Sequence, residues 1–192
     1  TESVDAGGAT IRFQTNVFND YTNAKTAELT TRVFSVDGVE ALKLVDTVTI
    51  SAGENRIVER SGVITSPRLW YPAHSPHGDP YLYSVYSTIS IDGKVVDRVE
   101  NPFGIRTISW DENYPYINGH KHLLWGFGVR YEYPALGMAV PDEQQWRDVQ
   151  LITGCGGRFV RPGHCASSPA LVAACNAYGV CIAQPSGDDE YN

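Results

Sequence analysis

The sequence predicts an antiparallel β-sandwich followed by a partial α/β unit. Two observations carry that expectation. From Ala9 to about Phe103 the chain is a series of short strand-like runs divided by turn dipeptides, with no helix-period stretch among them. After Trp110 the texture changes to strands alternating with helical patterns across short links, which implies parallel strands.

The elements follow in order. Thr10–Asn16 is a short alternating run. Ala27–Val36 is closed by Asp37-Gly38, and Val45–Ile50 ends near Gly53. Asn55–Val63 is the next candidate. Tyr81–Ile91 and Lys94–Val99 flank Asp92-Gly93, a dipeptide suited to a tight hairpin because both of its residues take positive φ. Val85-Tyr86-Ser87-Thr88-Ile89-Ser90-Ile91 alternates cleanly, as a strand with one wet face should. Tyr116-Ile117-Asn118-Gly119-His120 gives a second hairpin signal, and Leu123–Gly126 reads as a short apolar strand.

The spacing then predicts a helix over Pro141–Thr153. Asp142 and Glu143 fall in its first turn, where the helix dipole favours acids. Trp146, Val149 and Ile152 share a face, and Gly154 is a natural stop. Arg158–Arg161 is a short strand. Ser168-Pro169 supplies an N-cap and a first-turn proline to a second helix, whose apolar stripe is Leu171, Val172 and Cys175 and whose end is Gly179. Val180–Ala183 closes the series as a third strand. A closed (β/α)₈ barrel takes about 250 residues. Residues 107–192 are too few for one, so the reading is either a small open sheet or the opening of a larger barrel, the latter being favoured.

Composition removes some function classes. The net charge is −7, and the 15 Lys and Arg residues are scattered with no basic run. A nucleic-acid partner is not expected, because phosphate-backbone binding calls for a basic patch. No apolar run is long enough to span a bilayer, so no membrane partner is expected either. Cys155, Cys165, Cys175 and Cys181 form no CxxC pair, which argues against structural zinc and for thiols packed as small hydrophobes. They do not fix a compartment.

Several segments, in order, resemble glycoside hydrolase family 2, the β-galactosidase and β-glucuronidase group. Leu69-Trp70-Tyr71-Pro72 followed by Asp79-Pro80-Tyr81-Leu82-Tyr83 is similar to its LWSP and PYLY stretch. Phe103-Gly104-Ile105-Arg106-Thr107 resembles the FGFRT link, and Tyr116-Ile117-Asn118-Gly119 the FLNG hairpin. Gly137 to Pro141 with Asp142-Glu143, then Arg147-Asp148, is similar to GRAVPDE and RD. Arg161, His164, Pro169 and Cys175, then Tyr178-Gly179-Val180, follow the family order to residue 184.

The resemblance implies an immunoglobulin-like sandwich over residues 1–106 and the N-terminal portion of a TIM barrel, about three βα units, over 107–192. It implies a retaining, exo-acting β-glycosidase, most similar to β-galactosidases, acting on a β-linked sugar or oligosaccharide in carbohydrate metabolism. Retaining enzymes use two carboxyl groups about 5–5.5 Å apart. In the family both glutamates come from the fourth and seventh barrel strands. The chain is therefore expected to hold no catalytic residue and to be inactive alone.

The same resemblance places Arg161 beside the nucleophilic carboxylate, where a guanidinium keeps that group ionised and oriented. His164 takes the place of a histidine that contacts sugar hydroxyls. Gly128-Val129-Arg130-Tyr131-Glu132 stands where the family has NRHE, without keeping its residues, and puts Arg130 in a histidine's position. Asp188, Asp189 and Glu190 offer three carboxylates near a family metal site. Asp189 is the candidate ligand for a divalent cation, a hard oxygen-preferring ion, against the plainer expectation of a solvated acidic loop and no cofactor.

Trp70 and Trp146 are better read as packing than as sugar platforms. A family-level expectation is a periplasmic or extracellular setting. A partial barrel exposes strand edges, so self-association through them, or partial disorder beyond Trp110, is expected. The competing reading is a non-catalytic sandwich module binding carbohydrate or protein. Sandwiches host many functions, and the βα stretch after Trp110 argues against that reading.

Overall fold

The computed structural model describes residues 1–130, 132–163 and 166–184. The chain divides into two compact units, Thr1–Arg68 with Leu82–Ile105, and Leu69–Tyr81 with Arg106–Asn192.

The first unit is a β-sandwich of seven strands: β1 (Ser3–Asp5), β2 (Gly8–Phe18), β3 (Lys25–Phe34), β4 (Glu40–Ile50), β5 (Asn55–Ile64), β6 (Tyr83–Ile91) and β7 (Lys94–Phe103). One sheet has the order β1-β2-β5 and the other β4-β3-β6-β7, all antiparallel. Ala27, Val48 and Ile50 form a buried cluster with Val17, Val58, Ile89 and Ile91 packed around it. Alternation along β3 buries Ala27, Leu29, Thr31 and Val33 and leaves the residues between them wetter, the signature of a one-sided sheet. Asp92 (φ 51°) and Gly93 (φ 74°) make the tight β6–β7 hairpin that the dipeptide demands.

Local departures from the expected runs have nonlocal causes. β4 begins at Glu40 rather than Val45, because pairing with β3 continues to Phe34 opposite Glu40, past a register shift, and an Arg32–Glu40 ion pair spans the two strands. Leu42 lies against Gly62, where an added Cβ would come within 2.7 Å of its Cδ2. An ion pair joins Asp46 of β4 to Arg60 of β5.

Among its described residues the second unit contains two small sheets and two helices. β8 (Ile108–Trp110), β9 (Pro115–Ile117) and β10 (His120–Lys121) form an antiparallel sheet. Asn118 and Gly119 turn its hairpin at φ 52° and 76°. Asn118 also ties the turn down: its Oδ1 accepts from the Thr107 N–H at 2.9 Å and its Nδ2 donates to the Trp70 carbonyl at 2.9 Å. Trp70 is 2% exposed, and its indole N–H donates to the Asn176 carbonyl at 2.8 Å. The packing reading of that tryptophan holds.

β11 (Gly126–Arg130), β12 (Phe159–Gly163) and β13 (Cys181–Ile182) are parallel neighbours in that order. α1 (Asp142–Gly154) and α2 (Pro169–Tyr178) connect them. The strand expected at Leu123–Gly126 lies further on, at Gly126–Arg130. Leu123 and Trp125 are exposed, and the pairing that defines the strand begins at Gly126 opposite Phe159.

The α1 face differs too. Gln145, Val149 and Ile152 are buried, whereas Trp146 is 38% exposed and meets the edge of Tyr178 at 6.1 Å. Gln145 tolerates burial because its Nε2 donates to the Val140 carbonyl at 3.3 Å and its Oε1 accepts from the Ser168 hydroxyl. α2 is capped as its sequence asks: Ser168 Oγ accepts from the Leu171 N–H at 3.1 Å, and Gly179 ends the helix at φ 74°. No helix among the described residues is long and apolar enough to cross a membrane.

Candidate functional site

The parallel sheet β11-β12-β13 has two unlike faces. Val149, Ile152, Leu171, Ala174 and Cys175 of the helices pack with Val160 and Val180, and Val129 and Ile182 lean on that core. Side chains alternate along a strand. With Val129, Val160, Pro162 and Ile182 on the helix side, Gly128, Arg130, Phe159, Arg161, Gly163 and Cys181 fall on the other. The parallel register agrees, setting Gly128 beside Arg161, Arg130 beside Gly163 and Phe159 beside Cys181.

The sequence candidates distribute as follows. Arg130 is the last residue of β11 and Arg161 lies two residues from its own strand's end in β12; both are exposed. Both arginines therefore stand toward the C-terminal ends of adjacent parallel strands, on the face away from the helices. A Cβ built on Gly163 would lie 3.0 Å from Arg161 Nη1, so the guanidinium lies close to the Gly163 backbone. Among the described residues nothing lies within 4 Å of a Cβ built on Gly128, beside Arg161. His164 and Asp189 lie outside the described residues, as do Tyr131, Asp188 and Glu190. Among the described residues no group of His, Cys, Asp or Glu is gathered to hold a metal.

Glycine makes the close strand pairing feasible. A Cβ on Gly126 would sit 1.7 Å from the Phe159 carbonyl oxygen, so no side chain fits there. The segment after β11 is braced by residues that sequence reasoning did not single out as a group. The Tyr133 hydroxyl donates to the Asp148 carboxylate, and Gln144 Nε2 donates to the other oxygen of Asp148 at 2.9 Å. Burial and then the Asp148 bond raise the Tyr133 pKa, keeping the phenol protonated as donor. Asp148 belongs to the Arg147-Asp148 pair that the family resemblance singles out. Its partner Tyr133 has no such signal.

Cys181 falls on the same face as Arg161, and its thiol is held in the neutral form. Burial pushes its thiol up to about 11, with Arg106 and Arg158 pulling only partly the other way. Cys175, in the helix-side core, is pushed up to about 12 by burial and then by Cys181. Neutral thiols at Cys175 and Cys181 agree with the packing role expected of the cysteines, whereas Cys155 is exposed at the end of α1, against that expectation, and Cys165 lies outside the described residues.

Residues 1–106 match the family described as Glycosyl hydrolases family 2. A β-glucuronidase from Formosa agariphila is 32% identical over 98% of the chain and 19% of its own length. A β-galactosidase from Bacteroides ovatus is 23% identical over 98% of the chain and 22% of its own length. Among solved structures, a β-glucuronidase from glycoside hydrolase family 2 superposes with a TM-score of 0.88 at 31% identity, covering 98% of the chain and 20% of that structure. A Bacteroides uniformis β-glucuronidase gives 0.86 at 25% identity over 94% of the chain and 21% of that structure. The chain thus spans about a fifth of these relatives. The match over the sandwich, joined to the ordered motifs beyond it, makes this chain a member of glycosyl hydrolases family 2.

Proposed function

We propose that this chain is part of a retaining, exo-acting β-glycosidase whose substrate is a β-linked sugar bearing a carboxylate. In this reading residues 1–106 are its sandwich domain and residues 107–192 open its (β/α)₈ catalytic barrel. The carrying observation is the pair Arg130 and Arg161, on one face and near the C-terminal ends of adjacent parallel strands. Such ends are where barrel enzymes assemble their sites. The two guanidiniums take different roles. Arg161 holds the nucleophilic carboxylate supplied by a later strand, and Arg130 meets the sugar's own carboxylate through a charge-assisted pair. His164 contacts a sugar hydroxyl.

A uronic acid suits this arrangement better than the galactose first expected from the motifs. β-Glucuronidases stand beside β-galactosidases among the relatives, and a guanidinium can form with a sugar carboxylate a two-point charged pair that a neutral sugar does not offer. With both acid groups contributed by later strands, the 192-residue chain alone is inactive.

The test is hydrolysis of nitrophenyl β-glucuronide, β-galactoside and β-glucoside by this chain and by the longer protein. The expected result is cleavage of the glucuronide by the longer protein only. Arg130→Ala should raise KM for the glucuronide about tenfold or more, a loss of about 1.4 kcal/mol. Arg161→Ala should act mainly on kcat. A galactoside preference indifferent to Arg130 would overturn the sugar assignment. Activity in the 192-residue chain would overturn the division of labour.

A further inference from the structure

The last residue of β11 carries the proposed contact to the sugar carboxylate, yet the strand itself does little to hold it. Gly126 and Gly128 are two of its five residues, and a glycine inside a strand weakens it, having no side chain to pack. Val129 is the residue of β11 that leans on the helix-side core. A second hold on Arg130 comes from the chain that follows it.

Three residues on, the backbone closes on itself. The Tyr133 N–H donates to the Gly137 carbonyl at 3.0 Å. The Tyr133 carbonyl accepts from the Gly137 N–H at 2.9 Å and the Leu136 N–H at 3.1 Å. Ala135 at φ 67° and Gly137 at φ 57° take the left-handed conformation that so tight a turn uses. The root of this loop is then fastened to α1. The Tyr133 hydroxyl donates to the Asp148 carboxylate. Gln144 lies one turn earlier on the same edge of the helix. It donates to the other Asp148 oxygen at 2.9 Å and to the Tyr133 hydroxyl oxygen at 3.4 Å. The three half-buried side chains thus form a ring in which each holds the other two. The helix beneath is anchored by Val149 and Ile152, 0% and 7% exposed.

We propose that Tyr133 and Asp148 are positioning residues for Arg130: the ring they form with Gln144 fixes where the end of β11 points, and so sets how tightly a sugar carboxylate is held. The inference rests on the uronic-acid reading above. Neither side chain touches the sugar; both act through Arg130. That arginine stands between two fixed points, Val129 in the core and Tyr133 on the helix. Release of the second leaves it on a glycine-rich strand end that the first alone holds. A two-point guanidinium–carboxylate pair is demanding in geometry, and a misplacement of about 1 Å can cost on the order of a hundredfold.

The test is steady-state kinetics of the longer protein on nitrophenyl β-glucuronide, comparing Tyr133→Phe, Arg130→Ala and the two combined. Tyr133→Phe should raise KM at least about fivefold and leave kcat within about twofold. In the Arg130→Ala background it should add nothing. That coupling is a readout a merely structural role would not give, because a general loosening adds to either background. Gln144→Ala leaves the Tyr133–Asp148 bond in place and should raise KM in the same direction by less, which keeps the test open if Tyr133→Phe fails to fold. A KM raised by Arg130→Ala but indifferent to Tyr133→Phe and Gln144→Ala would overturn this inference alone. So would an undiminished effect of Tyr133→Phe in the Arg130→Ala background. A glucuronide KM indifferent to Arg130→Ala would overturn the sugar assignment, and this inference with it.

Discussion

His122 is the residue with most at stake in its protonation. It is 2% exposed, and among the described residues its Nε2 has no hydrogen-bond partner. Burial first, then Arg158, His77 and His120, hold its pKa below the ordinary histidine range. His77 and His120 stack face to face at 3.7 Å, and Tyr71 completes the group. The folded form therefore takes up a proton less readily than the unfolded chain does. Its contribution to stability is complete above the unfolded value of about 6.5 and is lost as pH falls from there through the depressed folded value. Thermal melts between pH 7.5 and 5 should show a falling midpoint, and His122→Gln should flatten that slope. An unchanged slope in the variant would assign the acid sensitivity to other groups. Asp148 presents the complementary case, an acceptor at both oxygens. Asp148→Ala should cost about 1–3 kcal/mol in urea unfolding, through the partners it leaves unpaired.

At the scale of elements, legibility followed locality. Asp92-Gly93 and Asn118-Gly119 announce their hairpins because a two-residue turn is decided by its own φ angles. Ser168 and Gly179 bound α2 for the same reason. β11 was misplaced because Gly126-Phe127-Gly128 has little strand propensity and becomes a strand only by pairing with β12, more than thirty residues away. The α1 face was drawn through Trp146 rather than Gln145 because a polar residue reads as exposed until its partners, the Val140 carbonyl and the Ser168 hydroxyl, are known. The candidate site divides in the same way. Arg130 and Arg161 could each be named from motifs, but their common face needed the register between strands. Two substitutions test these elements. Ser168→Ala should cost about 1 kcal/mol, the usual worth of an N-cap. Gly126→Ala should cost considerably more, since its Cβ meets the Phe159 carbonyl oxygen at 1.7 Å. Loss of amide protection in β11 with α2 still protected would locate the damage at that pairing.

For the whole molecule, the division into units is not a single cut along the sequence. Leu69–Tyr81 belongs with Arg106–Asn192 although it lies between sandwich strands. Trp70 makes this measurable, being the only tryptophan among residues 1–106. In a chain ending at Arg106 its partners Asn176 and Asn118 are gone. Its emission should shift to the red relative to Trp70 in the 192-residue chain with the other three tryptophans replaced by Phe, and protease should cut within 69–81 before cutting the strands. Equal emission from the two chains would mean that the segment is held by the sandwich itself.

That inserted segment also puts a delay into the birth of the protein. Trp70 is 106 residues upstream of the carbonyl it bonds. At roughly 5–20 residues per second of synthesis, Trp70 is made about five to twenty seconds before Asn176. Through that interval the nascent chain carries an apolar strap with nowhere to dock, between strands already able to pair. The ribosome-bound protein should therefore recruit holding chaperones at this stretch and release them only once α2 has been made.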